Sequence, residues 1–86
     1  MKFLVVDDSP TMRRIVINAL KNLGYDDFLE ASDGIEAMET LRSEKIDFVI
    51  TDWNMPNMSG LELTQNVRQD PNFGNIPILM VTTRGL

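Results

Sequence analysis

Two rhythms of apolar and polar positions alternate along the chain. Short, mostly apolar runs recur at Lys2–Val6, Asp27–Ala31, Asp47–Thr51 and Ile76–Thr82. Each has the length of a short buried strand, and Ile76–Thr82 is rich in β-branched residues as well. Between them, apolar residues return every three or four positions, as on one face of a helix. The first such set is Ile15, Val16, Ala19, Leu20 and Leu23, the second Ile35, Ala37, Met38 and Leu41, and the third Leu61, Leu63 and Val67. Boundary residues agree with this division. Ser9 and Pro10 form a helix start, with Ser9 as N-cap and Pro10 in the first turn, and Gly24 is placed to stop that helix. Ser32-Asp33-Gly34 is turn chemistry, Trp53–Ser59 is a Pro-containing loop in which Ser59 can cap the third helix, and Asp70–Asn75 is a polar connection. Strand and helix therefore alternate from one end to the other. That order predicts a parallel α/β sheet, and the right-handed rule for crossovers leaves few topologies.

Composition narrows the function more than the fold. Eighty-six residues make one small domain, expected to span 1–86 as a single unit. With 43% apolar and 24% charged residues the chain reads as a soluble globular protein. A net charge of −5 argues against a nucleic-acid partner, which needs clustered Lys and Arg to displace counterions from phosphates. The apolar runs fall well short of the roughly 20 residues that cross a bilayer, so no membrane role is expected. The residues after Lys2 lack the pattern of a signal peptide, and a cytoplasmic location is the expectation. Without cysteine there is no thiolate chemistry, and without histidine no His-based triad or zinc site of the usual kind. Gly-rich phosphate loops and dinucleotide fingerprints are also absent from the sequence.

What chemistry remains is carried by acids. In open parallel sheets, ligands bind beyond the carboxyl ends of the strands. Asp7 and Asp8 follow the first strand and Asp52 follows the third. Taken singly, each has an ordinary role: Asp8 beside the Ser9 cap, Asp52 starting a loop. If those two strands are neighbours, three carboxylates converge, and either a proton or a cation must relieve their repulsion. Hard oxygen ligands with open positions suit Mg²⁺, and a backbone carbonyl, that of Asn54, would complete the set. Asp52 is then placed to accept a phosphoryl group, and the Thr82 hydroxyl, ending the fourth strand on the same edge, to donate a hydrogen bond to it. An aspartate-nucleophile phosphatase would place a second acid two positions after its nucleophile. Asn54 stands there instead and cannot transfer a proton, so a phosphoacceptor is favoured over an enzyme.

Four stretches carry a family resemblance: Leu4-Val5-Val6-Asp7-Asp8-Ser9, Thr11-Met12-Arg13-Arg14-Ile15-Val16, Asp52-Trp53-Asn54-Met55-Pro56-Asn57-Met58 and Leu79-Met80-Val81-Thr82. They resemble the receiver domains of bacterial two-component systems, within them the chemotaxis branch of CheY-like receivers. The resemblance implies a flavodoxin-like parallel sheet with helices on both faces. It implies that Asp52 takes a phosphoryl group from a histidine kinase of the CheA type. Asp7, Asp8, Asp52 and the Asn54 carbonyl would hold Mg²⁺, Thr82 would be the switch hydroxyl, and Trp53 would sit beside the site without taking part. In the chemotaxis branch the signal goes to the flagellar motor switch.

Departures from the family pattern set further expectations. A complete receiver has five strands and five helices in sheet order 2-1-3-4-5. Only about four strands and three helices are legible here, without the fourth helix and the last strand–helix unit. The Lys-Pro pair that contacts the acyl phosphate has no counterpart, since the lysines lie at positions 2, 21 and 45. Phosphotransfer is therefore expected to be impaired and the motor-switch surface lost. Thr83 stands where a small residue often follows the switch threonine, and Ser59 where many relatives carry Asp or Asn. An open fourth strand and bared sheet faces would favour a homo-oligomer, most simply a dimer. The alternative function is that of an assembly fragment with a vestigial acidic site.

Overall fold

The computed structural model describes residues 1–81. Among them, β1 spans Phe3–Val6, α1 Pro10–Asn22, β2 Phe28–Ala31, α2 Gly34–Ser43, β3 Phe48–Asp52, α3 Gly60–Gln69 and β4 Ile78–Val81. The four strands form one parallel sheet in the order β2-β1-β3-β4, so the flavodoxin-like expectation holds over the described residues. Sheet order reverses direction between β1 and β3, and that reversal opens a crevice at their carboxyl ends.

Helix starts follow the cap residues. Ser9 accepts a hydrogen bond from the Met12 N–H, Asp33 from the Glu36 N–H, and Ser59 pairs with Glu62 in a reciprocal capping box. Gly24 follows α1 at φ +100°, a conformation that a Cβ would strain. The main core lies between the sheet and α2 with α3. Leu4, Val6 and Val49 from the sheet meet Ala37, Met38 and Leu41 of α2 and Leu63 and Val67 of α3. All eight are buried, the kind of burial that contributes about 1.5–3 kcal/mol for each large side chain.

The α1 side differs from expectation. Ile17, outside the predicted stripe, is the buried residue of this helix, while Ile15 and Leu23 are 53% and 74% exposed. The helix is apolar over a wide arc, and its spacing alone does not say which part of the arc faces the sheet. Register shows what α1 leaves uncovered. Val5 pairs with Ile50, and Ile50 with Leu79, so these share one face, opposite to that of Leu4 and Val49. On that face Leu79 stands 52% exposed at the β4 edge. β4 also begins two residues later than predicted, at Ile78. The Ile76 N–H closes a turn onto the Phe73 carbonyl, and Pro77, lacking an N–H, joins the ladder only through its carbonyl, which accepts from Val49.

Candidate functional site

The two strands flanking the sheet reversal end in acids. Val6 pairs with Thr51, so the next residues, Asp7 and Asp52, leave the sheet side by side. Asp8 follows directly, and carboxylate oxygens of Asp7, Asp8 and Asp52 all lie within 4.8 Å of one another. Their settings differ. Asp7 is buried, Asp52 half-buried and Asp8 exposed. The Asp7 carboxylate accepts the Ser9 N–H at 2.9 Å, and Asp52 accepts the Trp53 N–H at 2.8 Å. Burial pushes the Asp7 carboxyl above its ordinary value. The Ser9 hydrogen bond pulls it back, and the negative charges of Asp52 and Asp8 raise it further.

Three carboxylates converging, with no ion pair to any of them among the described residues, fit a hard divalent cation, which would take oxygen ligands and relieve the repulsion. The Arg13 guanidinium does not neutralise them: it pairs with Glu30 at 2.9 Å and donates another hydrogen bond to the Asp7 backbone carbonyl. It fixes the strand end that carries the acids and leaves their charge in place. Asn54 is half-buried and lines, with Asp8, Met55 and Pro56, an open cavity of about 350 Å³. Trp53 lies next to Asp52 in the chain and is exposed. The predicted switch hydroxyl, Thr82, lies outside the described residues, as does Thr83.

Close packing holds the loop that follows Asp52. The Gly60 N–H donates to the Trp53 carbonyl at 2.9 Å, and a Cβ on Gly60 would fall 2.2 Å from the Asp52 carbonyl oxygen. Glycine at the start of α3 is therefore a condition for the position of Asp52. Two residues not singled out from the sequence also act here, Arg13 and Asn57. Asn57 has φ +68°, a left-handed conformation that Asn tolerates better than most residues, and its occurrence after Met-Pro was the available signal.

A doubly wound parallel sheet with acids at the ends of its two central strands narrows the comparison to one class of fold, and sequence relationships define the family. The chain belongs to the response regulator receiver domain family, whose model matches residues 3–85. It is 56% identical over 86 residues to a chemotaxis protein CheY homolog of Campylobacter jejuni, covering 99% of this chain and 66% of that protein. To chemotaxis protein CheY1 of Helicobacter pylori it is 57% identical, covering 99% and 69%. The chain thus spans about two thirds of the length of these relatives. Solved structures agree on the fold. The chemotaxis response regulator CheY4 of Vibrio cholerae superposes with a TM-score of 0.86 at 39% identity, over 99% of this chain and 70% of that one. Response regulator TrrA of Thermotoga maritima, solved in complex with Mg²⁺ and BeF, gives 0.87 at 35% identity, over 99% and 72%. Receivers of this family are signalling phosphoacceptors rather than enzymes in the usual sense.

Proposed function

We propose that the chain accepts a phosphoryl group on Asp52 from a CheA-like histidine kinase, with Mg²⁺ held by Asp7, Asp8, Asp52 and the Asn54 carbonyl. The observation that carries this reading is the set of three carboxylates within 4.8 Å at the ends of two adjacent parallel strands. The Mg²⁺ and BeF bound by the Thermotoga relative support the same assignment. A divalent cation there would offset negative charge on the transferring phosphoryl oxygens. Asp52 supplies the nucleophilic oxygen: its P–O bond forms as the donor's P–N bond breaks. Ser9 and Trp53 N–H groups orient the Asp7 and Asp52 carboxylates, and Arg13 fixes the Asp7 backbone. Asn54, two residues on, cannot transfer a proton, so the general acid that an aspartate-nucleophile phosphatase keeps at that position is missing. Thr82 is assigned the role of switch hydroxyl by family resemblance.

In these 86 residues alone, Mg²⁺ binding is expected to survive better than phosphoryl transfer. Lys2 pairs with Glu44 beyond the opposite end of β1, Lys21 sits in the last turn of α1, and Lys45 precedes the amino end of β3, so none of the three stands at the strand ends that carry the acids. The reaction takes place in the cytoplasm in this reading, and the flagellar motor switch is not assigned as a partner of this stretch. Treatment with acetyl phosphate and Mg²⁺, followed by mass spectrometry, tests the acceptor. A phosphoryl adduct on the parent and none on Asp52→Asn is expected; adducts on both would place the acceptor elsewhere. One observation favours a second reading, self-association: among the described residues β4 pairs on one edge only, and Leu79 and Val81 beside it are exposed.

A further inference from the structure

The loop joining β3 to α3 does not hang from its two ends alone. Two consecutive residues in it, Asn57 and Met58, dock on two consecutive residues that open α2, Asp33 and Gly34. The Asn57 side-chain amide donates to Asp33 Oδ2 at 3.0 Å, while Asp33 Oδ1 caps α2 by accepting the Glu36 N–H at 2.8 Å. Met58 rests on the bare α-carbon of Gly34, where a Cβ would fall 2.7 Å from Met58 Cβ, Cγ and Sδ. The Asn57 backbone is held left-handed at φ +68° to make this approach, a conformation that persists where surrounding contacts determine it.

The consequence concerns the four residues between. Asp52 is fixed by the β3 register with β4, and Asn57 by its bond to Asp33. Trp53, Asn54, Met55 and Pro56 must span those two points, and the ring of Pro56 removes one of the few free dihedrals. In the middle of the span Asn54 lines, with Asp8, the cavity of about 350 Å³. We infer that Asn57 and Asp33 are positioning residues for the metal site: their contact sets how far the Asn54 carbonyl stands from the acids, and so ties the start of α2 to Mg²⁺ affinity. This rests on the phosphoacceptor reading of the site, and neither residue touches the ion. Asp33 serves both ends of the device because its two oxygens are divided between the helix and the loop.

Two substitutions separate this role from folding. Asn57→Gly keeps the left-handed backbone and removes the amide. Asp33→Ser keeps one capping oxygen and removes the acceptor for Asn57. Mg²⁺ alone is titrated against Trp53 fluorescence in the 86-residue chain. Each single variant is expected to bind Mg²⁺ about tenfold more weakly, the usual loss when a partner that orients a ligand is removed. The double variant is expected to be no weaker than either single one, since both break the same contact. Unchanged affinity in the single variants, or losses that multiply in the double variant, would overturn the inference. If the parent itself gave no Mg²⁺ response, the metal reading would fail first. The contact is then tested in the metal-free protein by amide NMR. Asn57→Gly must move the Asn54 and Met55 resonances together with that of Glu36, and a shift confined to residue 57 and its chain neighbours would overturn it.

Discussion

At the scale of single residues, aspartates with the same side chain are put to different uses by their surroundings. Asp7 is buried against two like charges and held above its ordinary carboxyl value, so its ionisation opposes folding until a cation arrives. Asp33 is the reverse. The Glu36 N–H and then the Asn57 amide hold its carboxyl below the ordinary value of 3.8, so its charge favours the folded state. A carboxyl whose folded value lies below its unfolded one contributes stability that is complete above the unfolded value and disappears as pH falls through the folded one. For Asp33 that window lies below 3.8. The gap in urea midpoint between the parent and Asp33→Asn is therefore expected to be constant above about pH 5 and to close as the pH falls through that window. A gap that stays unchanged however far the pH is taken below 3.8 while the parent remains folded would show that the bonds to Glu36 and Asn57 do not depend on the Asp33 charge.

At the scale of elements, what is legible in the sequence and what is not divide along a physical line. Strands, caps and loop residues are set by neighbours within a few positions. The βα alternation, Ser9, Asp33 and Ser59 at helix starts, and the acids at strand ends are accordingly readable from the order of residues alone. The face of α1 is not, because Ile15, Val16 and Ile17 are all apolar and only the sheet decides which one is buried. Nor are the contacts of Gly34 and Gly60, since each depends on a residue brought near by the fold. Gly60 shows how strongly such a contact binds an element to the site. A methyl group there would overlap the Asp52 carbonyl, which is backbone at the end of a paired strand and cannot yield cheaply. Gly60→Ala is expected to lower stability by about 1–3 kcal/mol, the range for forced overpacking. It should also weaken Mg²⁺ binding, because either α3 or the end of β3 must shift. Circular dichroism melts with a parallel Mg²⁺ titration check both effects. A variant that melts with the parent would mean that α3 can back away without disturbing β3.

At the scale of the whole molecule, the two sides of the sheet are unequally covered, and this bears on how the chain behaves alone. The face toward α2 and α3 holds a continuous buried cluster. The face toward α1 keeps a mostly apolar hollow of about 240 Å³, lined by Val5, Ile15, Val16, Ile50 and Val81 and, at the strand ends, by Asp7 and Asp52. Beside it Leu79 is exposed, at the edge where β4 has no further strand among the described residues. Open backbone donors and acceptors next to exposed apolar side chains form a surface that a second copy can satisfy twice, by strand pairing and by burial. The net charge of −5 opposes this at long range, but salt screens such repulsion beyond about 8 Å at physiological ionic strength. The 86-residue chain is accordingly expected to sediment as a dimer at micromolar concentration in about 0.15 M salt, with association weakening as salt is lowered. Leu79→Lys places a charge on the same edge and is expected to give monomers that keep the Mg²⁺ response of Trp53, because the acids lie at the ends of β1 and β3 rather than on this edge. A parent chain that sediments as a compact, cooperatively folding monomer would remove the case for self-association and leave the phosphoacceptor reading untouched. The two readings are separable at Leu79, which stands on the β4 edge and lines neither the acids nor the hollow beside them.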